Sequence, residues 1–148
     1  QSFLCLKVKI TIFLQFIKKV TGEATIITSK IAAPFISKIF DKIDADNVNV
    51  IGVPKEIACL ITKEDLEQID LSEVKQAVII PGRAFVHQLD AERILSADGV
   101  ERIVGRGPDT LTIDGELSFD KTDENVIEEE LTQFNDLVDA INFFGMRI

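Results

Sequence analysis

Arg83, His87 and Asp90 lie in one short stretch that follows an apolar run, Ala77–Ile80, broken by Pro81-Gly82. His87 is the only histidine of the chain. A histidine titrates near neutrality and can serve as acid, base or ligand. The plainer alternative is a surface or capping histidine in a loop. A second stretch, Gly105-Arg106-Gly107-Pro108-Asp109, could offer backbone N–H groups and a guanidinium to a phosphate or carboxylate. Its plainer alternative is a tight turn with a solvent-facing arginine. The candidate ligand-binding residues are therefore Arg83, His87, Asp90, Arg106, Gly107 and Asp109. No catalytic residue and no metal ligand is assigned.

Other chemistry finds little footing. A P-loop pattern is absent, and no G-x-G-x-x-G opens a helix. There is no G-x-S-x-G elbow and no second histidine for a zinc-type site. Cys59, in EIACLI, reads as a buried strand thiol, and only His87 could serve it as a base. Cys5 and Cys59 are too few for an iron–sulfur cluster or a structural zinc site. Their spacing fits a reducing compartment, so a cytoplasmic location is expected, with a disulfide between the two as the alternative. Glu128-Glu129-Glu130 belongs to a solvated helix face.

The elements that would position these residues alternate between strands and helices. Glu23–Thr28 has the β-branched density of a strand. Ser29 could cap the next element. Ile31–Ile43 places Ile31, Phe35, Ile39 and Ile43 on one stripe, an amphipathic helix with Pro34 tolerable in its first turn. Val48–Val53 is a second strand, which completes a βαβ unit with a parallel pair. Glu56–Ile61 is a third short strand candidate. Thr62 heads T-K-E-D, a capping-box-like helix start with Asp65 in the usual Glu or Gln place. That helix runs to about Ile69.

Gln76–Ile80 is a buried strand, and ligands in open α/β sheets sit at the carboxyl ends of strands. Ala91–Ala97 is predicted as a short helix with Asp90 at its N-cap. Glu101–Val104 and Thr110–Ile113 are short strands or an extended excursion. Asp123–Phe143 is a long amphipathic helix with an acidic first turn, ended by Gly145. Residues 3–20 fit either a strand by alternation or a helix over Ile12–Val20, and the helix is favoured. The expected fold is α/β: a layered domain with a mainly parallel sheet of about four to five short strands, flanked by helices and ending in a long C-terminal helix. Residues 1–20 read as a connecting segment and 21–148 as a single domain. The start at Gln1, directly into apolar sequence, suggests a fragment or a processed product.

The chain has 148 residues, enough for one domain with a real core. Its net charge of −9 argues against nucleic acid or an anionic membrane as partner. The charge is uneven. Lys7, Lys9, Lys18 and Lys19 make the first twenty residues purely basic, whereas ten acids face one lysine between Asp109 and Asp136. No span of about twenty uninterrupted apolar residues occurs.

The segment VNVIGVPKEIACLITKEDLEQIDLSEVKQAVIIPGRAFVHQLDAERILSADGVERIV carries a resemblance. Its phrases KEDLEQI, VIIPGRAFVH and SADGVERIV, followed by RGPD, resemble the C-terminal domain that follows a radical SAM core in certain iron–sulfur oxidoreductases. Within that group it is most similar to the methanogenesis marker type, whose best-understood members methylate an arginine of methyl-coenzyme M reductase and depend on cobalamin. The similarity extends from about Thr21 to Gly145.

The resemblance implies an accessory domain, inactive alone, whose parent holds a 4Fe-4S cluster, S-adenosylmethionine and cobalamin. Its partners would be the radical SAM core of the same parent chain, with cobalamin or methyl-coenzyme M reductase as further contacts. The loops Pro81–His87 and Gly105–Asp109 would then be contact surfaces. The sequence departs from the family's active core, since C-x-x-x-C-x-x-C is absent. The cobalamin signature D-x-H-x-x-G is absent too, because Phe85 stands two before His87 and Asp90 three after it. His87 is therefore not assigned as a cobalt ligand. The alternatives are a stand-alone α/β ligand-binding or interaction domain, and a small hydrolase or transferase with His87 as base.

Overall fold

The structure is a computed structural model that describes residues 17–107 and 124–145. Four strands form one parallel sheet: β1 (Ala24–Ser29), β2 (Val48–Val53), β3 (Ala77–Ile80) and β4 (Ile103–Arg106), in the order β2-β1-β3-β4. The helices are α1 (Ala32–Lys42), α2 (Lys63–Glu67), α3 (Gln88–Leu95) and α4 (Glu124–Gly145). This is the expected α/β layered architecture. Every residue of β1 and β3 is buried, because parallel strands with crossover helices are covered on both faces. Ile26 and Ile79 face α1 and α4, where Phe40 and Phe134 meet at 5.2 Å. Ile27, Val78, Ile80 and Val104 face the other layer, built from α2, α3 and the loops beside them.

Local chemistry explains each element's ends. The Ser29 hydroxyl accepts from the Ala32 N–H at 3.0 Å at the start of α1. That helix ends at Asp44, whose φ of 54° lies in the left-handed region that aspartate tolerates. The capping box of α2 is complete: Asp65 N–H donates to the Thr62 hydroxyl, and Thr62 N–H donates to the Asp65 carboxylate. Such a cap contributes about 1 kcal/mol.

Three local expectations change. Glu56–Ile61 is not a strand but contains a 3-10 turn at Ala58–Leu60. Ala58 and Ile61 point inward, whereas Ile57 and Leu60 point out. That spacing of three matches a 3-10 turn, where a strand would alternate. Residues 17–20 are not helical, and residues 12–16 of the expected helix lie outside the described residues. The backbone of residues 18–22 is held by side chains of α4 instead. Lys18 N–H donates to Asn135 Oδ1, Thr21 and Gly22 N–H donate to Asn142 Oδ1, and Asn142 Nδ2 donates to the Lys19 carbonyl. Gly22 fits there because a Cβ would lie 2.4 Å from the Ile141 carbonyl oxygen. Finally, α3 starts at Gln88, three residues earlier than expected. The expected strand Thr110–Ile113 lies outside the described residues.

One buried arginine joins three of these pieces. Arg102 is 5% exposed. Its Nη1 donates to the Leu95 carbonyl and Asp98 Oδ1, Nη2 to the Leu71 and Val74 carbonyls, and Nε to the Val74 carbonyl. It closes the end of α3 and a second 3-10 turn, Leu71–Glu73, against the start of β4. Arg102→Met would leave these carbonyls and Asp98 without their donor. We expect a loss of about 3 kcal/mol or more in urea unfolding. A loss under about 1 kcal/mol would mean that water replaces the guanidinium there.

Candidate functional site

The order β2-β1-β3-β4 reverses direction between β1 and β3, and this switch point is where open parallel sheets form a crevice at their carboxyl ends. The loop from Pro81 to His87 leaves β3 at that edge. It lies beside the end of β4, since Gly107 N–H donates to the Ile80 carbonyl at 2.8 Å. Gly82 and Gly107 approach so closely that a Cβ on Gly82 would lie 2.4 Å from the Gly107 carbonyl oxygen. The two candidate stretches therefore meet in space.

Arg106 sets the shape of the loop. Its Nη1 donates to the Gly82 and Ala84 carbonyls at 3.3 and 3.1 Å, and its Nη2 donates to the Val86 carbonyl at 2.8 Å. The expectation of an anion-binding guanidinium meets a guanidinium already engaged by three loop carbonyls. Ala84 and Val86 turn inward and are buried, so Phe85 and His87 between and after them turn outward. Phe85 N–H also donates to the Cys59 carbonyl at 3.3 Å, which ties the loop to the Ala58–Leu60 turn.

The other candidate groups have structural partners. His87, not Asp90, is the N-cap of α3: its Nδ1 accepts from the Leu89 N–H at 3.1 Å. A neutral ring that accepts at Nδ1 carries its proton on Nε2. Asp90 sits in the first turn, 3.2 Å from Lys63 Nζ on α2 and 3.2 Å from Arg93 Nη2. The hydrogen bond from Lys63 holds its carboxyl below the usual value. Arg83 is exposed at the loop's tip. Cys59 is half-buried in a turn, not a buried strand thiol. Asp109 lies outside the described residues. Among the described residues, no three His, Cys, Asp or Glu side chains gather as a metal site would need, and no helix is long and apolar enough to cross a membrane.

What the sequence reading missed is the apolar rim. Of the eight large hydrophobic residues exposed among the described residues, six lie where the chain leaves the carboxyl ends of β1, β2 and β3: Ile31, Phe35, Ile57, Leu60, Phe85 and Leu89. Phe85 is 82% exposed and Leu89 67%. Backbone bonds join the segments that carry them, from Lys30 N–H to the Lys55 carbonyl and from Phe85 N–H to the Cys59 carbonyl. A single exposed apolar residue is ordinary, whereas six on one edge set this edge apart from the rest of the described surface. The alternation in Ala84-Phe85-Val86-His87 was the signal that could have found its centre.

A comparison with protein-family models finds no match for this chain, and a comparison with curated proteins finds none.

Two outcomes check the site's construction. Arg106→Met should speed amide exchange across Gly82–His87 at least about tenfold by removing charged donors, while α1 and β1 exchange as before. Equal protection in both proteins would contradict the clamp. The acid limb gives a second check. Asp70, Asp90 and Asp98 are held below their usual 3.8, chiefly by hydrogen bonds from Ser72, Lys63 and Arg102 respectively. A lowered folded-state pKa adds stability above the unfolded value, and that stability is lost as pH falls through the folded value. The urea midpoint should therefore decline as the pH falls below about 4, with a shallower decline in Asp98→Asn. An identical acid limb in Asp98→Asn would oppose this assignment.

Proposed function

We propose that this chain is a partner-contacting accessory domain, not catalytic by itself, whose working surface is the apolar rim at the carboxyl edge of its sheet. The observation that carries the reading is the outward Phe85, on a loop whose carbonyls Arg106 holds, with the exposed Leu89 in the first turn of α3 beside it. The side chains that could have done acid–base work support it too, because His87 caps a helix and Asp90 is paired with Lys63 and Arg93. Aromatic and large aliphatic residues concentrate at the cores of protein interfaces.

The resemblance described above supplies the partner: the radical SAM core of a cytoplasmic iron–sulfur enzyme of the methanogenesis marker type. That parent would hold the 4Fe-4S cluster and S-adenosylmethionine, and cobalamin or methyl-coenzyme M reductase would be a further contact. A second reading, a stand-alone ligand-binding domain, draws on the switch point between β1 and β3.

The test is a titration of the purified chain with a separately expressed radical SAM core of that type, followed through the chain's amide NMR spectrum. Shifts should centre on 57–60 and 82–90, and Phe85→Ser/Leu89→Ser should weaken binding at least about tenfold. No shifts with the core, together with shifts at Ser29 and Pro81–Arg83 on adding a small ligand such as cobalamin, would replace the leading reading with the second. Shifts confined to the opposite edge would refute both.

A further inference from the structure

The helices that open at the carboxyl edge begin on different capping chemistry. Ser29 and Thr62 accept at the starts of α1 and α2 with hydroxyl oxygens, whose charge does not change near neutrality. α3 opens on an imidazole. His87 Nδ1 accepts from Leu89 N–H at 3.1 Å, and the His87 carbonyl accepts the first bond of the helix from Ala91 N–H at 3.0 Å. The ring is exposed, so protons reach it from solvent. Imidazole is the side chain that ordinarily changes its charge between about pH 5 and pH 8.

Protonation removes this acceptor. In the cation both ring nitrogens carry hydrogen, so Nδ1–H would meet Leu89 N–H, donor against donor. The charged ring would also stand at the positive end of the helix dipole. Several groups face this corner. Asp90, in the first turn of α3, lies within electrostatic reach of the ring and attracts a cation. Its carboxylate is already shared between Lys63 Nζ on α2 and Arg93 Nη2, each at 3.2 Å. That attraction gives Leu89 N–H no new acceptor. Arg106, from β4, is engaged by the Val86 carbonyl, and Glu92 of α3 by Val104 N–H. Arg83 stands exposed in the same loop, and the Ala58–Leu60 turn meets that loop through the Cys59 carbonyl.

We infer that His87 is a pH-sensitive cap: its neutral ring fixes the first turn of α3, and its protonation releases Leu89 N–H and loosens that turn. Leu89 is 67% exposed and belongs to the apolar rim. The cap therefore sets how firmly one of the rim's largest side chains is held, firmly above the imidazole range and loosely below it. Its meaning for a partner rests on the reading of the rim proposed above. The switch itself is a property of the free chain.

An NMR titration of the purified chain from about pH 8 to about pH 5, with amide exchange measured at both ends, tests this without any partner. The Leu89 amide resonance should move together with the His87 ring resonances, with one midpoint. Leu89 protection, corrected at each pH for the exchange rate of an unstructured peptide, should fall about fivefold across the range, while β1 and α1 keep theirs. Asp90, held below its usual value by Lys63, stays ionised throughout, so the change belongs to His87. His87→Asn keeps an acceptor that does not titrate, and its Leu89 protection should be independent of pH. His87→Ala should show the low protection at both ends. Equal protection of Leu89 at the two ends in the unaltered chain would overturn the inference, as would a fall of the same size in His87→Asn. Since no partner is present, failure here leaves the proposed partner standing, and failure of that partner leaves the cap standing.

Discussion

Parallel pairing around β1 is the constraint on which the rest of the molecule depends. All six residues of β1 are buried, with β2 on one side and β3 on the other. A buried strand must satisfy its backbone groups within the sheet and its side chains within two packed layers. Parallel neighbours also require each connection to cross from one end of the sheet to the other. Every strand therefore leaves at the same edge, and the turns after β1, β2 and β3 gather there. The apolar rim follows from that topology: the segments that carry Ile31, Ile57 and Phe85 are distant in sequence and are brought to one edge because their strands run the same way.

Two arginines convert loose turns into fixed ones, and both do so through main-chain carbonyls. Arg102, almost fully buried, closes the amino-edge side against the end of α3. Arg106 holds the carboxyl-edge loop at Gly82, Ala84 and Val86. A guanidinium suits this work because its five donors lie in one rigid plane and keep their charge at all relevant pH. The loop is thus shaped before any partner arrives, which lowers the ordering cost of binding.

Much of this was legible in the chain. The β-branched run before Ser29, the apolar spacing across Ile31–Ile43 and the T-K-E-D box each act over a few residues, so local pattern was enough to find β1, α1 and α2, although Ile31 and Phe35 of that stripe are exposed and Ile36 and Phe40 beside it are buried. The position of the candidate loop followed from the burial of Ala77–Ile80. Through-space partners were not legible. Arg106 read as a free guanidinium because the carbonyls it meets are twenty or more residues away. His87 took the capping role expected of Asp90 because the helix began three residues early, which left Asp90 free to meet Lys63. The Ile57–Ile61 segment misled because a short apolar run carries no clear period. Residues 17–22 are not helical, and asparagines on α4 supply hydrogen bonds to their backbone that a helix would have made internally.

We propose that the carboxyl edge, which carries Phe85, faces a radical SAM core. The most direct measurement replaces Phe85 by the photo-crosslinker p-benzoylphenylalanine in the protein as its own cells make it, with Val100, 38% exposed on the opposite edge, as the control position. After irradiation and digestion, the crosslinked peptides are sequenced. The account predicts that position 85 joins a peptide of a polypeptide bearing C-x-x-x-C-x-x-C, in the same chain or a separate one, and that position 100 does not. Crosslinks at position 85 no more frequent than at position 100, or only to proteins without that motif, would contradict it.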